Sequence, residues 1–547
     1  MNLNKITLPV ALVLMASCAA PAINSQSASV VPDHQVGNPW YAAGQSAVTD
    51  RLPATARAPA KNVILFIGDG MGVTTVTAAR ILQGQMNGGF GEENSLSFEY
   101  FPHTGMAKTY NVDAQVSDSA GTATALVSGV KTDIGVLGID EDVVYGECDS
   151  ARGHELTTIL ELAELAGRST GIVTTTRVTH ATPAAAYAKS PDRDWENDFL
   201  LTEAAVKSGC KDIAVQLVEF EQSLQERFAG HSVNGLEVLM GGGRRNFLPE
   251  DAQYNSGDQV SEIEGDRTDG RDLTAEWQAA YPDGAYVIDE AGLDALADRP
   301  VPHLLGLFNE SHMRYEADRH NDIRGEPSLA KMTTTAIRQL GNNPAGFFLL
   351  VEGGRIDHGH HAGSAHAALT DTIAFADAVQ AAVDSVNLQD TLIIVTADHS
   401  HPFTISGYPR RGNPILGKVI QVGQSEIALA EDDLPYTTLG YANGPGFRDF
   451  GDDETDADST YHLEPDAGRK DLTGINTESP GFHQEALVPF EADLHGGEDV
   501  VVYGVGPGAE AVSGTIEQNV VFHVMLEATG WGEMEAQKGL QSNLGGR

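Results

Sequence analysis

Between Val351 and His361 the chain reads VEGGRIDHGHH, placing one Glu, one Asp, one Arg and three His directly after the apolar run GFFLL. A strand of a buried sheet should not end in such a cluster unless a cation neutralises it. Two other apolar runs end the same way. VILFIG leads into Asp69, and TLIIVTADHS ends in Asp398 and His399. Open α/β sheets place their sites beyond the carboxyl ends of their strands, so three strands would deliver carboxylates and imidazoles to one edge. Mixed His and Asp sets suit zinc, and oxygen-only sets suit magnesium. Asp357 and His361 stand four residues apart, the spacing that brings two ligands to one ion on a helical turn. His358 and His360 remain open as ligands or as packing residues.

The stretch KNVILFIGDGMGV has the outline of a dinucleotide loop. It lacks the third Gly, where Val73 stands, and it puts Asp69 where a pyrophosphate needs bare N–H groups. A metal ligand fits Asp69 better; a turn residue or helix cap is the plain alternative. In VSDSAGTATALVSG, Ser119 sits where a small-residue helix begins, among free backbone N–H groups. The sequence is not G-x-S-x-G, which argues against an α/β-hydrolase. A serine beside divalent metals can act as a nucleophile without a His base. The plain alternative is Ser119 as a simple cap with Asp118 beside it.

The elements that must position these groups follow from the hydrophobic pattern. From Lys61 onward, apolar runs of about five residues alternate with amphipathic stretches such as LTTILELAELAG, as expected of an α/β fold with a large, mainly parallel sheet covered by helices on both faces. Residues 251–284 are polar and irregular. Residues 406–493 carry scattered Gly, Pro and acids without alternation, and the rhythm resumes at Asp499. The second region therefore reads as an insertion within one catalytic domain spanning residues 60–547, preceded by a tether and N-terminal arm over 23–59.

Composition narrows the function. With 77 acidic against 34 basic residues in a chain of 547, the net charge is −43. Such a surface repels phosphate backbones, so nucleic acid is excluded as a binding partner. A heavily hydrated acidic surface, as in salt-adapted proteins, is the expectation. Residues 1–22 form a signal-peptide region: one Lys, then a mostly apolar run of eleven residues from Ile6 to Ala16, too short to span a bilayer. LMAS before Cys18 resembles a bacterial lipobox. Two readings stand, a lipid on Cys18 as the sole membrane attachment, or ordinary cleavage after a small residue up to Ala22. Both imply export, to the periplasm, the membrane surface or the medium. With Cys18 lipidated, Cys148 and Cys210 remain as a disulfide or as two buried thiols; closing that loop would contribute about 4 kcal/mol.

GDGMG, SDSAGTATA, TTTRVTHATPAAAYA, VEGGRIDHGHH, TADHSHPF and LHGGEDV resemble, in order and approximate spacing over about residues 38 to 525, the motifs of alkaline phosphatases, closer to the animal branch than to the short enteric-bacterial form. The resemblance implies a phosphate monoesterase with two zinc ions and one magnesium, working through a phosphoserine. It implies Asp357, His361 and His495 as ligands of one zinc. Asp69, Asp398 and His399 are implied for the second, with Ser119 as nucleophile. Asp69, Thr182 and Glu352 are implied for magnesium, and Arg193 as the phosphate clamp. It also implies a Cys148–Cys210 pair and a homodimer; the insertion occupies the place of the family's dimer-capping crown but differs from it in sequence, which leaves its fold and partner contacts open. His180 matches animal members where the enteric form has Asp. Asn309 replaces an acid of the animal calcium site, so calcium is not implied. A sulfatase on the same fold would need C/S-x-P-x-R, which SDSAG does not match. A cation-binding surface lipoprotein would need neither Ser119 nor Arg193, and a phosphodiesterase is the remaining enzyme alternative.

Overall fold

The computed structural model describes residues 30–51, 58–460 and 463–532. Cys18 and the rest of the signal-peptide region lie outside these residues.

Fifteen strands occur among the described residues: β1 Asn62–Gly68, β2 His103–Lys108, β3 Ser169–Arg177, β4 Val238–Gly242, β5 Ala285–Val287, β6 Leu304–Leu307, β7 Phe347–Gly353, β8 Thr391–Ala397, β9 Phe403–Ile405, β10 Leu439–Gly444, β11 Arg448–Asp449, β12 Phe482–His483, β13 Ala486–Pro489, β14 Val500–Val505 and β15 Gly514–Glu517. Ten of them form one sheet in the order β15-β2-β14-β8-β1-β7-β3-β4-β6-β5. Within it β14 alone runs against its neighbours; the block from β8 to β5 is parallel throughout.

The three central strands explain the unbroken apolar runs. Every residue of β1, β7 and β8 is buried, because helices cover both faces. In one group of helices Ala365–Ser385 packs against Val73–Met86 and Leu329–Leu340; in a second, Val520–Thr529 packs against Ser119–Ser128, Ile159–Leu165 and the arm helix Pro39–Arg51. The N-terminal arm thus packs on the second group, and Gln35 is buried with its amide donating to Ser128 O at 2.8 Å.

Register sets the site. Gly68 at the end of β1 lies opposite Gly353 of β7 and Ala397 of β8. The next residues on β1 and β8 are Asp69 and Asp398, so two carboxylates leave adjacent strands at the same level. Glu352 lies one position earlier, opposite Ile67 and Thr174.

The insertion has strands that periodicity did not reveal. β10 pairs antiparallel with β9 and parallel with β13, and β11 pairs with β12. All are short, from two to six residues, too brief to show the alternation of a longer strand.

Candidate metal centre

Asp118 caps the helix Ser119–Ser128 by accepting from Gly121 N at 3.1 Å, which makes Ser119 the first helical residue and not the cap. The helix is buried throughout, because its side chains are small enough for close packing. Ser119 Oγ lies 3.2 Å from His399 Nε2 and 3.4 Å from Asp69 Oδ1. His399 Nε2 in turn is 3.2 Å from Asp69 and 3.5 Å from Asp398. Asp69, Asp398 and His399 are fully buried and form one potential ligand group.

A second group stands beside it. The helix Arg355–His361 puts Asp357 and His361 on one face, with His361 Nε2 3.2 Å from Asp357 Oδ2. His495 arrives from the end of the insertion; its Nε2 is 3.2 Å from His361 Nε2 and 3.6 Å from Asp357 Oδ1. Its ring stacks on His399 with centroids 3.6 Å apart. The tautomers follow from the other ring nitrogens. His361 Nδ1 donates to Asp493 O at 2.5 Å and His495 Nδ1 donates to Ser117 O at 2.7 Å. Both Nε2 atoms therefore present lone pairs to each other and to a carboxylate, an arrangement that calls for a cation.

The third group is Asp69, His180 and Glu352, and the Thr182 hydroxyl lies beside the Glu352 carboxyl. Asp69 Oδ2, Glu352 Oε1, Thr182 Oγ1 and His180 Nδ1 are all buried without a well-formed hydrogen bond. Orphaned polar atoms are costly, and four of them in one place fit a bound ion. Burial, with the charges of Asp398, Asp357 and Glu352, pushes the Asp69 carboxyl well above the usual range. Burial pushes Glu352 up to about 7, against the hydroxyls of Thr174 and Thr176. A cation would relieve both. The residues present thus fit two zinc ions and a magnesium.

Arg193 is tied to the residue preceding Ser119: its Nη1 donates to Asp118 Oδ2 at 3.0 Å, and its Nη2 lies 3.2 Å from His180 Nε2.

All ten residues expected from the sequence fall in this region. The two open histidines take other partners. His360 sits between Thr75 Oγ1 at 2.9 Å and Tyr441 OH at 2.7 Å, and His358 faces Arg355 at 2.8 Å. Sequence reasoning missed His401 and Asp493. His401 Nε2 is 2.7 Å from Asp357 Oδ1 and its Nδ1 is 2.8 Å from Asp493 Oδ2. Burial works against its charge, but the two carboxylates win and raise it to about 9. Its place in TADHSHPF, two residues after His399, was the available signal.

The alkaline phosphatase family model matches residues 60–531. The tissue-nonspecific alkaline phosphatase of Gallus gallus is 43% identical over 508 residues, covering 92% of this chain and 91% of the relative. The Homo sapiens isozyme is 42% identical over 475 residues, 86% of this chain and 83% of the relative. Among solved structures, the Thermus thermophilus alkaline phosphatase superposes with a TM-score of 0.59 at 26% identity, over 89% of this chain and 94% of that one.

Proposed function

Because the chain belongs to the alkaline phosphatase family and hydrolyses phosphate monoesters, we propose that Ser119 is its nucleophile and that the three side-chain groups hold two zinc ions and one magnesium ion. In this reading Asp357, His361 and His495 hold one zinc, Asp69, Asp398 and His399 the other, and Asp69, Thr182 and Glu352 the magnesium. When bound, these ions supply Lewis acidity at the phosphoryl oxygens and at the oxygens entering and leaving phosphorus.

The observation that carries the reading is the position of Ser119 Oγ, 3.2 Å from His399 and 3.4 Å from Asp69 at the first turn of a buried helix. Oγ forms a bond to phosphorus while the ester oxygen departs on the opposite side with its electron pair and takes a proton from solvent. The serine proton is released to solvent. Water then attacks the phosphoseryl phosphorus, the Oγ–P bond breaks, and Ser119 regains a proton as phosphate leaves. Arg193, held by Asp118, offers two parallel N–H groups to the phosphoryl oxygens, a match that a planar fork makes better than an ammonium. Acid quenching during turnover with a labelled monoester tests this. Phosphate should be trapped on Ser119 and be absent from Ser119→Ala; label on another residue would overturn the assignment.

The catalytic unit of this proposal is residues 60–547 with 406–493 inserted. The Cys148–Cys210 disulfide supports an oxidising compartment outside the cytoplasm. Export with a lipid on Cys18 is proposed on the lipobox-like sequence, and salt adaptation on the charge of −43. Leu487 and Val488, exposed on the edge strand β13, and Phe490 just beyond it support a homodimer in which the insertion meets its copy. Cell fractionation tests the export, activity across salt concentration tests the salt adaptation, and light scattering tests the homodimer.

A further inference from the structure

We propose that Asp493 is a positioning residue for the zinc site of Asp357, His361 and His495, acting on all three ligands and itself set in place by the inserted sheet. The proposal rests on the ligand assignment above.

Asp493 is fully buried at the point where the insertion returns to the main sheet. Its N–H donates to His361 O at 2.9 Å, and its carbonyl accepts from His361 Nδ1 at 2.5 Å. That pair fixes the ring's tautomer and turns Nε2 toward the site. The carboxylate takes a second ligand in hand through an intermediary: Oδ2 faces His401 Nδ1 at 2.8 Å, and His401 Nε2 faces Asp357 Oδ1 at 2.7 Å. With both ring nitrogens committed between two carboxylates, His401 acts as the holder of Asp357 and not as a ligand. Two residues further along the chain stands His495. A single residue thus touches one ligand, reaches the second through an imidazole, and launches the third.

The inserted strand β10 determines where Asp493 sits. Gly444 O accepts from Phe490 N at 3.1 Å, and Asn443 Oδ1 accepts from Leu494 N at 2.7 Å, so the segment is gripped on both sides of Asp493. Gly444 adopts φ 132°, and a Cβ there would come within 3.2 Å of Asp493 Cβ, so close contact requires glycine. The same strand supports His401 from its other side. Tyr441 OH is 2.7 Å from His360, whose ring stacks on His401 with centroids 4.8 Å apart. The insertion is therefore part of the scaffold of the metal site, although it contributes no ligand of its own before His495.

The test is zinc retention by the full-length enzyme against a chromophoric chelator. Asp493→Asn keeps the main-chain pair with His361 and the side-chain shape but removes the charge facing His401. It should weaken one of two zinc sites by about 10- to 100-fold, the range for outer partners of metal ligands. His401→Gln should do the same. The double variant should lose no more than the weaker single one, because both substitutions break one chain of contacts. Asp493→Glu should recover part of the affinity, and excess zinc should restore kcat in Asp493→Asn with little change in KM. Wild-type zinc retention by Asp493→Asn, or losses that multiply in the double variant, would overturn the proposal. His361→Ala and His495→Ala run in parallel separate the two claims. If they lose zinc and Asp493→Asn does not, only the positioning role falls; if they also retain it, the ligand assignment falls. Should Asp493→Asn not fold, the Asp493→Glu and His401→Gln comparison still decides: wild-type retention by His401→Gln removes the intermediary and with it the proposal.

Discussion

His361 and His495, separated by 134 residues, bring their Nε2 atoms to 3.2 Å, each ring donating its Nδ1–H to a main-chain carbonyl. Two lone pairs at that distance repel unless a cation lies between them. His495→Ala should therefore lower zinc affinity at one site by more than the about 10- to 100-fold expected of an outer residue. Activity should fall with it and return partly in excess zinc. His483 is the contrasting case: its Nδ1 donates to Ala362 O at 2.7 Å and burial pulls it down to about 4, so it serves packing. His483→Ala should keep full zinc stoichiometry, as measured by atomic absorption after dialysis.

Arg193→Lys keeps the charge but loses the fork. One charge-assisted hydrogen bond contributes about 1.5–3 kcal/mol, so the inhibition constant for inorganic phosphate should rise by about 10- to 100-fold. Unchanged inhibition would place Arg193 outside the phosphate subsite.

Asp371 provides a pH prediction away from the metals. Burial, aided by the charge of Glu316, pushes its carboxyl up to about 8, against the hydrogen bond it accepts from Glu316 N. The folded state thus holds a proton that the unfolded chain releases near pH 4. The resulting stability is fully present below that value and is lost as pH rises through about 8. Asp371→Asn, which still offers an acceptor, should melt higher than the parent at pH 9. The gap should close on acidification, as read by calorimetry across pH.

The disulfide closes a sequence separation of 62 residues. Replacing Cys148 and Cys210 together by serine should cost about 4 kcal/mol in the chain-entropy account, seen as a lower denaturant midpoint with unchanged zinc content.

Much of the candidate centre was legible because the proposed ligands follow directly on apolar runs. Asp69, Glu352, Asp398 and His399 need only the rule that sites form at strand ends, and Asp357 with His361 needs only helical spacing. His360 could not be told from His361 by composition; one residue of helical phase turns it toward Thr75 and Tyr441. TADHSHPF marks His401 as a candidate, but its role was unreadable for a different reason. Its partner Asp493 lies 92 residues away across an insertion, and no local pattern encodes that meeting. The inserted strands were hidden by their brevity.

The level pairing of Gly68 with Gly353 and Ala397 also bears on how the protein matures. Sliding β1 by one residue against β8 would displace Asp69 by about 3.3 Å and turn it to the opposite face of the sheet. No complete ligand set exists in such an intermediate. Strong metal uptake must then wait until segments hundreds of residues apart have aligned, and the ions act as inspectors of the finished register. A chain misaligned in this way would lack the proposed ligand set, so metal content would report on the finished register.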